Sequence, residues 1–332
     1  MMTSRFLNII AAAGLALSIA TAARAAEKID FILNWVPGGD HSPYFYALEK
    51  GLYAEAGLDV SIQPGKGSGM SSQRVGLGKN QLGIADLATA LVAKSKGANL
   101  VAVMNVYANS PYAIYWLKSS GIAGPKDFAG NKLGNPPWDA ARVMWPALAK
   151  AIGIPATSVS FVNVAPQAKL SALKSGAIQL TTDFYNGHDL KIRELGDDMG
   201  FMAWKEVGIN PYGNSIIANG DYLKSNRKAV AAFTAVTQKA FAACVADERP
   251  CLDALMRASS GLKLDVQVDQ WKRVEELMTD KFTTSVALGY FDPGRVADDY
   301  KMVETYFKME KPFDVGGAFT NEFLDRGIKM PK

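Results

Sequence analysis

Histidine and cysteine are nearly missing from this chain, with two of each in 332 residues. Neither His41 nor His188 stands in an H-E-x-x-H helix or beside a G-x-S-x-G turn. A metal site would have to gather Asp40, His41, His188 and Asp189 from two distant segments. A triad built on His41 finds no serine singled out as its nucleophile. The glycine-rich run GKGSGM (Gly65 to Met70) lacks the Lys-[Ser/Thr] that closes a phosphate loop, and it lacks the spacing of a dinucleotide fingerprint. No cofactor is therefore expected, and enzymatic chemistry loses its usual signatures. Charge of one sign is scarce too. The formal net charge is +4, from 36 basic and 32 acidic residues that are interspersed. That balance marks out no face for nucleic acid or an anionic membrane.

Long apolar runs are confined to the amino terminus. Arg5 precedes an apolar stretch from Phe6 to Ala20, and Ala23-Arg24-Ala25 fits an A-x-A cleavage site. Residues 1–25 read as a cleaved secretory leader, so the periplasm is the expected location. The stretch is shorter than the ~20 residues of a spanning helix, and no cysteine follows it to carry lipid. No later stretch reads as long and apolar enough to cross a bilayer. Loss of Arg5 and Arg24 brings the formal charge to about +2. In an oxidising compartment Cys244 and Cys251, on either side of Pro250, read as a disulfide across a helix–turn–helix; two free buried thiols are the alternative.

What remains is an alternation of strands and helices, which predicts a mostly parallel sheet. Strands are expected at Ile29 to Leu33, Leu58 to Gln63, Gln81 to Ala85 and Leu100 to Val106, with helices between them. The pattern restarts with strands at 131–134, 158–164 and 178–182. Gly57 and Gly153 stop corresponding helices, and Gly78-x-x-Gln81-Leu82 matches Gly176-x-x-Gln179-Leu180. Two lobes of one βαβ plan follow. Extended runs at Ala113 to Gly124 and Asn214 to Asn226 read as the two links. The first lobe is then 26–117 with 217–332, and 118–216 is inserted as the second. The tail is expected to be helical at 266–281, 293–308 and 318–329.

In open α/β sheets ligands sit beyond the carboxyl ends of strands. The first lobe offers Asn34, Trp35, Asp40, His41, Ser68 and Asp86 there, and the second offers Trp138, Asp139, Arg142, Asp183 and Tyr185. Trp35 and Trp138 follow the first strand of each lobe, so facing lobes would sandwich a flat ring between two indoles. Asp139 stands where a helix begins, which suits an N-cap and disfavours an anionic ligand at that terminus. Arg142, one turn on, either binds a ligand carboxylate or pairs with Asp139. Asp86 and Asp183 are placed to accept hydrogen bonds from a ligand or to cap helices.

The run LNWVPGGDHSPYFYALEKGLYAEAGLDVSI (Leu33 to Ile62), with LGKNQLGIAD, GPKDFAGNKLG and NPPWDAARVMWPALAKAIGI after it, resembles periplasmic solute-binding proteins of the nitrate/sulfonate/taurine type. That group includes the NMT1/THI5-like pyrimidine binders. The resemblance covers nearly the whole mature chain. It implies an α/β, type II clamshell of two lobes, each a mostly parallel sheet flanked by helices, acting as a monomer. It also implies hinge closure over a small molecule and delivery to an ABC permease in the inner membrane. The LNWVP…H opening looks closer to the branch that binds thiamin-precursor pyrimidines or related flat heterocycles. By that similarity Trp35 lies against the ring, and Asp183 and Tyr185 line the opposite wall. Two departures leave the ligand open. Pro136-Pro137-Trp138-Asp139 replaces the sulfonate binders' small anion loop, and Gly38-Gly39-Asp40 replaces the pyrimidine branch's polar residues. An organic sulfonate, nitrate or an aromatic carboxylate is the alternative ligand. A periplasmic enzyme, a pyrimidine-synthesising enzyme and a sensor module are alternative roles on the same fold.

Overall fold

The structure is a computed structural model describing residues 25–332, so all of the expected leader except Ala25 lies outside the described residues. In chain order the strands are β1 (Glu27–Ile32), β2 (Leu58–Gln63), β3 (Leu82–Asp86), β4 (Leu100–Asn105), β5 (Tyr112–Leu117), β6 (Lys132–Asn135), β7 (Ser160–Asn163), β8 (Leu180–Phe184), β9 (Met199–Ala203) and β10 (Asn214–Asn219). They form two five-stranded sheets, ordered β2-β1-β3-β10-β4 and β7-β6-β8-β5-β9. The two orders are equivalent position by position. In the first sheet β10 alone runs antiparallel to its neighbours, and in the second β5 does.

Helices flank each sheet, and the protein has the two-lobed α/β architecture that the strand pattern predicts. The shared plan reaches the turns. Gly57 and Gly153 both end a helical turn at φ +76°, a left-handed conformation that disfavours side chains. The two runs read as links are the antiparallel strands themselves. β5 takes Tyr112–Leu117 into the second sheet, and β10 takes Asn214–Asn219 into the first. The chain therefore crosses between sheets within 106–111 and 204–213, a few residues before the expected points. Their strand character is apolar: Ala113, Ile114 and Tyr115 of β5 and Ile216, Ile217 and Ala218 of β10 are buried.

Three expectations about helices need correction. Residues 318–329 are not a helix. After a short 3-10 turn at Val315–Ala318 the backbone bonds sideways, Thr320 N–H to Ala102 O (2.8 Å), Leu288 N–H to Ile328 O (2.8 Å) and Met330 N–H to Thr283 O (2.9 Å). These pairings replace the i→i−4 ladder while Phe323, Leu324 and Ile328 pack on the first lobe's core. Pro250 does not break a helix; it lies in the first turn of the helix Glu248–Ala258, where its missing N–H costs nothing. Cys244 and Cys251 are joined across the intervening Asp247 cap, as expected. Lastly, the helix Arg227–Ala246 is long and apolar enough to cross a membrane. Its Val230, Phe233, Phe241 and Cys244 are instead buried in the first lobe's core, where Phe233 lies 5.0 Å from Phe31 and from Tyr53.

Candidate ligand-binding site

The first wall is built where β1 ends. Leu33 N–H continues the pairing with Gln63 O, and the chain then turns through Asn34 to Gly38 into the 3-10 turn Gly39–His41. A second loop locks this one, with Gly65 N–H donating to Trp35 O (3.0 Å) and Gly67 N–H to Asn34 O (2.7 Å). Close approach explains the glycines. A Cβ on Gly65 would stand 2.0 Å from Leu33 O, and one on Gly67, at φ +134°, would stand 2.0 Å from Trp138 O in the other lobe. The GKGSGM run is thus a contact between loops and between lobes.

His41 is fully buried and wired at both nitrogens. Gly38 N–H donates to Nδ1 (3.2 Å), which puts the ring proton on Nε2, facing Asn34 Oδ1 (3.0 Å). Asn34 Nδ2 in turn donates to Asn214 Oδ1 (2.9 Å) on β10. Burial lowers the imidazole pKa, opposed in part by Asp40 3.3 Å away, so the neutral ring is favoured. The side chain of Asp40 also accepts from Tyr107 Oη at 3.3 Å.

The second wall begins at Asp139, which caps the helix Ala140–Ala151 by accepting from Ala141 N–H (2.9 Å) and Arg142 N–H (3.2 Å). Burial raises its pKa, against the pull of Lys169. Asp183 at the end of β8 contacts Lys191 (2.7 Å) and Lys169 (3.5 Å). Burial alone would raise this carboxyl, but the two ammonium groups outweigh it and hold the pKa at about 2. Lys169 also lies 3.5 Å from Asp139 Oδ2, and its ammonium sits over the Trp35 ring, 5.0 Å from the centroid. Trp35 of one lobe and Lys169 of the other thus meet across the cleft.

Between these walls lies a cavity of about 280 Å³, lined on one side by Asn34, Trp35, Asp40 and Ser68 and on the other by Asp139, Asp183 and Lys191. The carboxyl-end rule of open sheets therefore finds it. The helix Leu264–Met278 forms the third side through Val266, Gln267 and Gln270, and Gln270 Oε1 accepts from Gly39 N–H (2.8 Å). The same helix spans the cleft. Arg273 forms a two-bond pair with Asp189 of the second lobe (2.8 and 3.0 Å) and donates to Tyr185 Oη (2.9 Å), and Arg193 pairs with Asp269. Its partners hold the Arg273 guanidinium well above its usual pKa.

Several expected residues lie elsewhere. Trp138 is 41% exposed and lines a separate surface pocket with Gln73, Leu77 and Lys96 rather than the interlobe cavity, so the two-indole sandwich does not form. Its carbonyl accepts from Gly69 N–H of the other lobe (3.1 Å). Arg142 neither faces the cavity nor pairs with Asp139; it donates to Asn163 Oδ1 (2.7 Å) and lies over Phe161. Tyr185 belongs to the Arg273 clasp, and His41 lies behind the wall. Asp86 is buried where the two lobes meet, and its Oδ1 accepts from Thr89 N–H (3.0 Å) and from Tyr112 Oη of β5 (2.5 Å). Burial pushes its pKa up to about 6 against those hydrogen bonds. Sequence reasoning missed Lys169, Lys191, Gln267 and Arg273. Lys191, Gln267 and Arg273 sit inside amphipathic helices and Lys169 opens a short one, and a polar residue in such places reads as solvated surface.

Residues 39–250, well over half of the chain, match the family described as NMT1/THI5 like. The chain belongs to that family. Within this NMT1/THI5-like group, it is 33% identical over 113 residues to the 4-amino-5-hydroxymethyl-2-methylpyrimidine phosphate synthase THI11 of Saccharomyces cerevisiae, and that match spans only 33% of either protein. It is 22% identical over 233 residues to the formylaminopyrimidine-binding protein of Halalkalibacterium halodurans, covering 70% of this chain and 71% of that one. Among solved structures, the alkanesulfonate-binding protein SsuA of Xanthomonas axonopodis pv. citri superposes with a TM-score of 0.70, covering 90% of this chain and 100% of its own at 12% identity. That last likeness is one of fold: the family member described here has the periplasmic-binding-protein fold of ABC-import binding components.

Proposed function

We propose that this protein is the substrate-binding component of an ABC importer in the periplasm, and that it traps a flat heterocycle such as a pyrimidine between its lobes for delivery to a membrane permease. The observation that carries this is the interlobe cavity, with one aromatic face, Trp35, opposed by charged groups of the other lobe. A ring stacked on an indole gains roughly 0.5–1.5 kcal/mol beyond the area it buries, while polar edges fix its orientation. Asp139 already fills the helix N-terminus with its own carboxylate, which weighs against nitrate or a sulfonate at that place. The binding protein from Halalkalibacterium halodurans, named for a formylaminopyrimidine, supports the same ligand class.

A second reading is favoured by one observation, the identity shared with the yeast pyrimidine phosphate synthase. Against it, His41 has both nitrogens occupied within the protein, away from the cavity. A thermal-shift screen of ligand-stripped protein separates these and the anion alternative, using thiamin-precursor pyrimidines, flavins, sulfonates, nitrate and aromatic carboxylates. A ligand at a hundred times its Kd adds about 2.7 kcal/mol and raises Tm by several degrees. A rise with a heterocycle, unaccompanied by turnover and lost in Trp35→Ala, is expected. A rise with small anions alone, or product formation, would overturn the reading.

A further inference from the structure

Two buried polar atoms at the cavity have no hydrogen-bond partner: Lys169 Nζ and Gln267 Oε1. Both residues are 3% exposed. Gln267 lines the cavity directly, and the Lys169 ammonium adjoins three residues that do, namely Trp35, Asp139 and Asp183. Its two carboxylate contacts, at 3.5 Å each, are ion pairs without hydrogen-bond geometry. Buried polar atoms are nearly always satisfied, because an unmet one forfeits its hydration with nothing in return. The two orphans are also of opposite kind, one a donor and one an acceptor. Three other polar groups at the site are already engaged, Asn34 with His41 and Asn214, Asp139 with its helix, and Lys191 with Asp183.

We propose that Lys169 and Gln267 set the ligand's polarity: the site takes a flat ring with an acceptor edge, a ring nitrogen or carbonyl, met by Lys169, and a donor edge, an N–H, met by Gln267. This rests on the reading of the cavity as a heterocycle site. A ring stacked on Trp35 takes the space where the ammonium now rests, 5.0 Å from the indole centroid. The flexible lysine stem then carries the ammonium to the ring's edge, still beside Asp139 and Asp183. A ring without an acceptor leaves that ammonium unmet, and a ring without a donor leaves the glutamine oxygen unmet. The rejection comes from the protein's own stranded groups, which is how a polar site discriminates strongly between rings of one shape.

Three neutral probes read the two edges separately by calorimetric titration: 4-aminopyrimidine has both, pyrimidine only acceptors, and aniline only the donor. Wild type should bind 4-aminopyrimidine at least tenfold more tightly than either. In Lys169→Met the advantage over aniline should collapse, and in Gln267→Leu the advantage over pyrimidine should collapse, each variant keeping the other preference. A merely structural loss would weaken all three probes alike. If Lys169→Met fails to fold without its ammonium between the two carboxylates, Gln267→Leu decides alone, since Oε1 has no partner to lose. Binding of 4-aminopyrimidine with both preferences unchanged in the variants overturns this inference and leaves the heterocycle reading standing. Failure of wild type to bind any of the three overturns both.

Discussion

His41 organises the first wall without touching the cavity. Its ring ties Gly38 to Asn34, and Asn34 to Asn214 on the returning strand. His41→Ala should therefore lower stability by about 1–3 kcal/mol, the usual cost of stranding buried hydrogen-bonding groups, and should weaken ligand binding through loop disorder. Chemical denaturation beside a titration checks both. Asp86 makes a second prediction. Its folded pKa, about 6, lies above the ordinary 3.8. Between those values the folded state binds more protons than the unfolded, so its contribution to stability falls as pH rises through that window. Asp86→Asn keeps the Oδ1 acceptor and alters only Oδ2, which has no partner. The difference in stability, variant minus wild type, should grow from pH 4 to pH 8, by at most about 3 kcal/mol. Denaturation midpoints at the two ends measure it; a difference flat in pH would refute the account of Asp86. Trp35, Asp40, Ser68, Asp139 and Asp183 were legible as cavity residues because each lies at or beyond the carboxyl end of a strand, where loops gather. Trp138 obeyed the same rule and points away. The rule locates a loop but does not fix the direction of each side chain within it, which depends on tertiary packing that a sequence does not display.

At the scale of elements, the helix Leu264–Met278 both lines the cavity and reaches across to the second lobe. Val266, Gln267 and Gln270 face the cavity, and one turn further Arg273 grips Asp189 and Tyr185 of the second lobe. Arg273→Ala should release the clasp and speed ligand dissociation, with a smaller change in association, because interface contacts act mainly on the off-rate. Stopped-flow kinetics test this, and Asp189→Ala in the same background should add little. The apolar periodicity of this helix was legible, but its place across the cleft was not, since it depends on how the tail folds back over both lobes. The disulfide makes an independent prediction. It closes a short loop between Cys244 and Cys251, for which chain entropy alone suggests about 2 kcal/mol. The Cys244→Ser, Cys251→Ser variant should lose that much in denaturation while retaining affinity, because the bridge lies in the first lobe's core, away from the cavity.

For the whole molecule, one strand order is repeated in both sheets. Two equivalent sheets exchange one antiparallel strand each, so the lobes are joined by chain crossings within 106–111 and 204–213, and on the proposed reading these are where the lobes would bend. The alternation of strands and helices made that plan readable. The exchange itself was not, because β5 and β10 are buried apolar runs that a sequence shows only as extended chain. Contacts on both flanks of the cavity, Gly69 with Trp138 and Arg273 with Asp189, hold the lobes together in this structure. If the molecule works as a trap, ligand and closure are linked: the ligand contacts both walls only in the closed form and must shift the population toward it. Small-angle scattering during titration of stripped protein with a ligand verified by calorimetry tests this most directly. The radius of gyration should fall with occupancy and level off at saturation. A radius that stays constant while the ligand binds would contradict it.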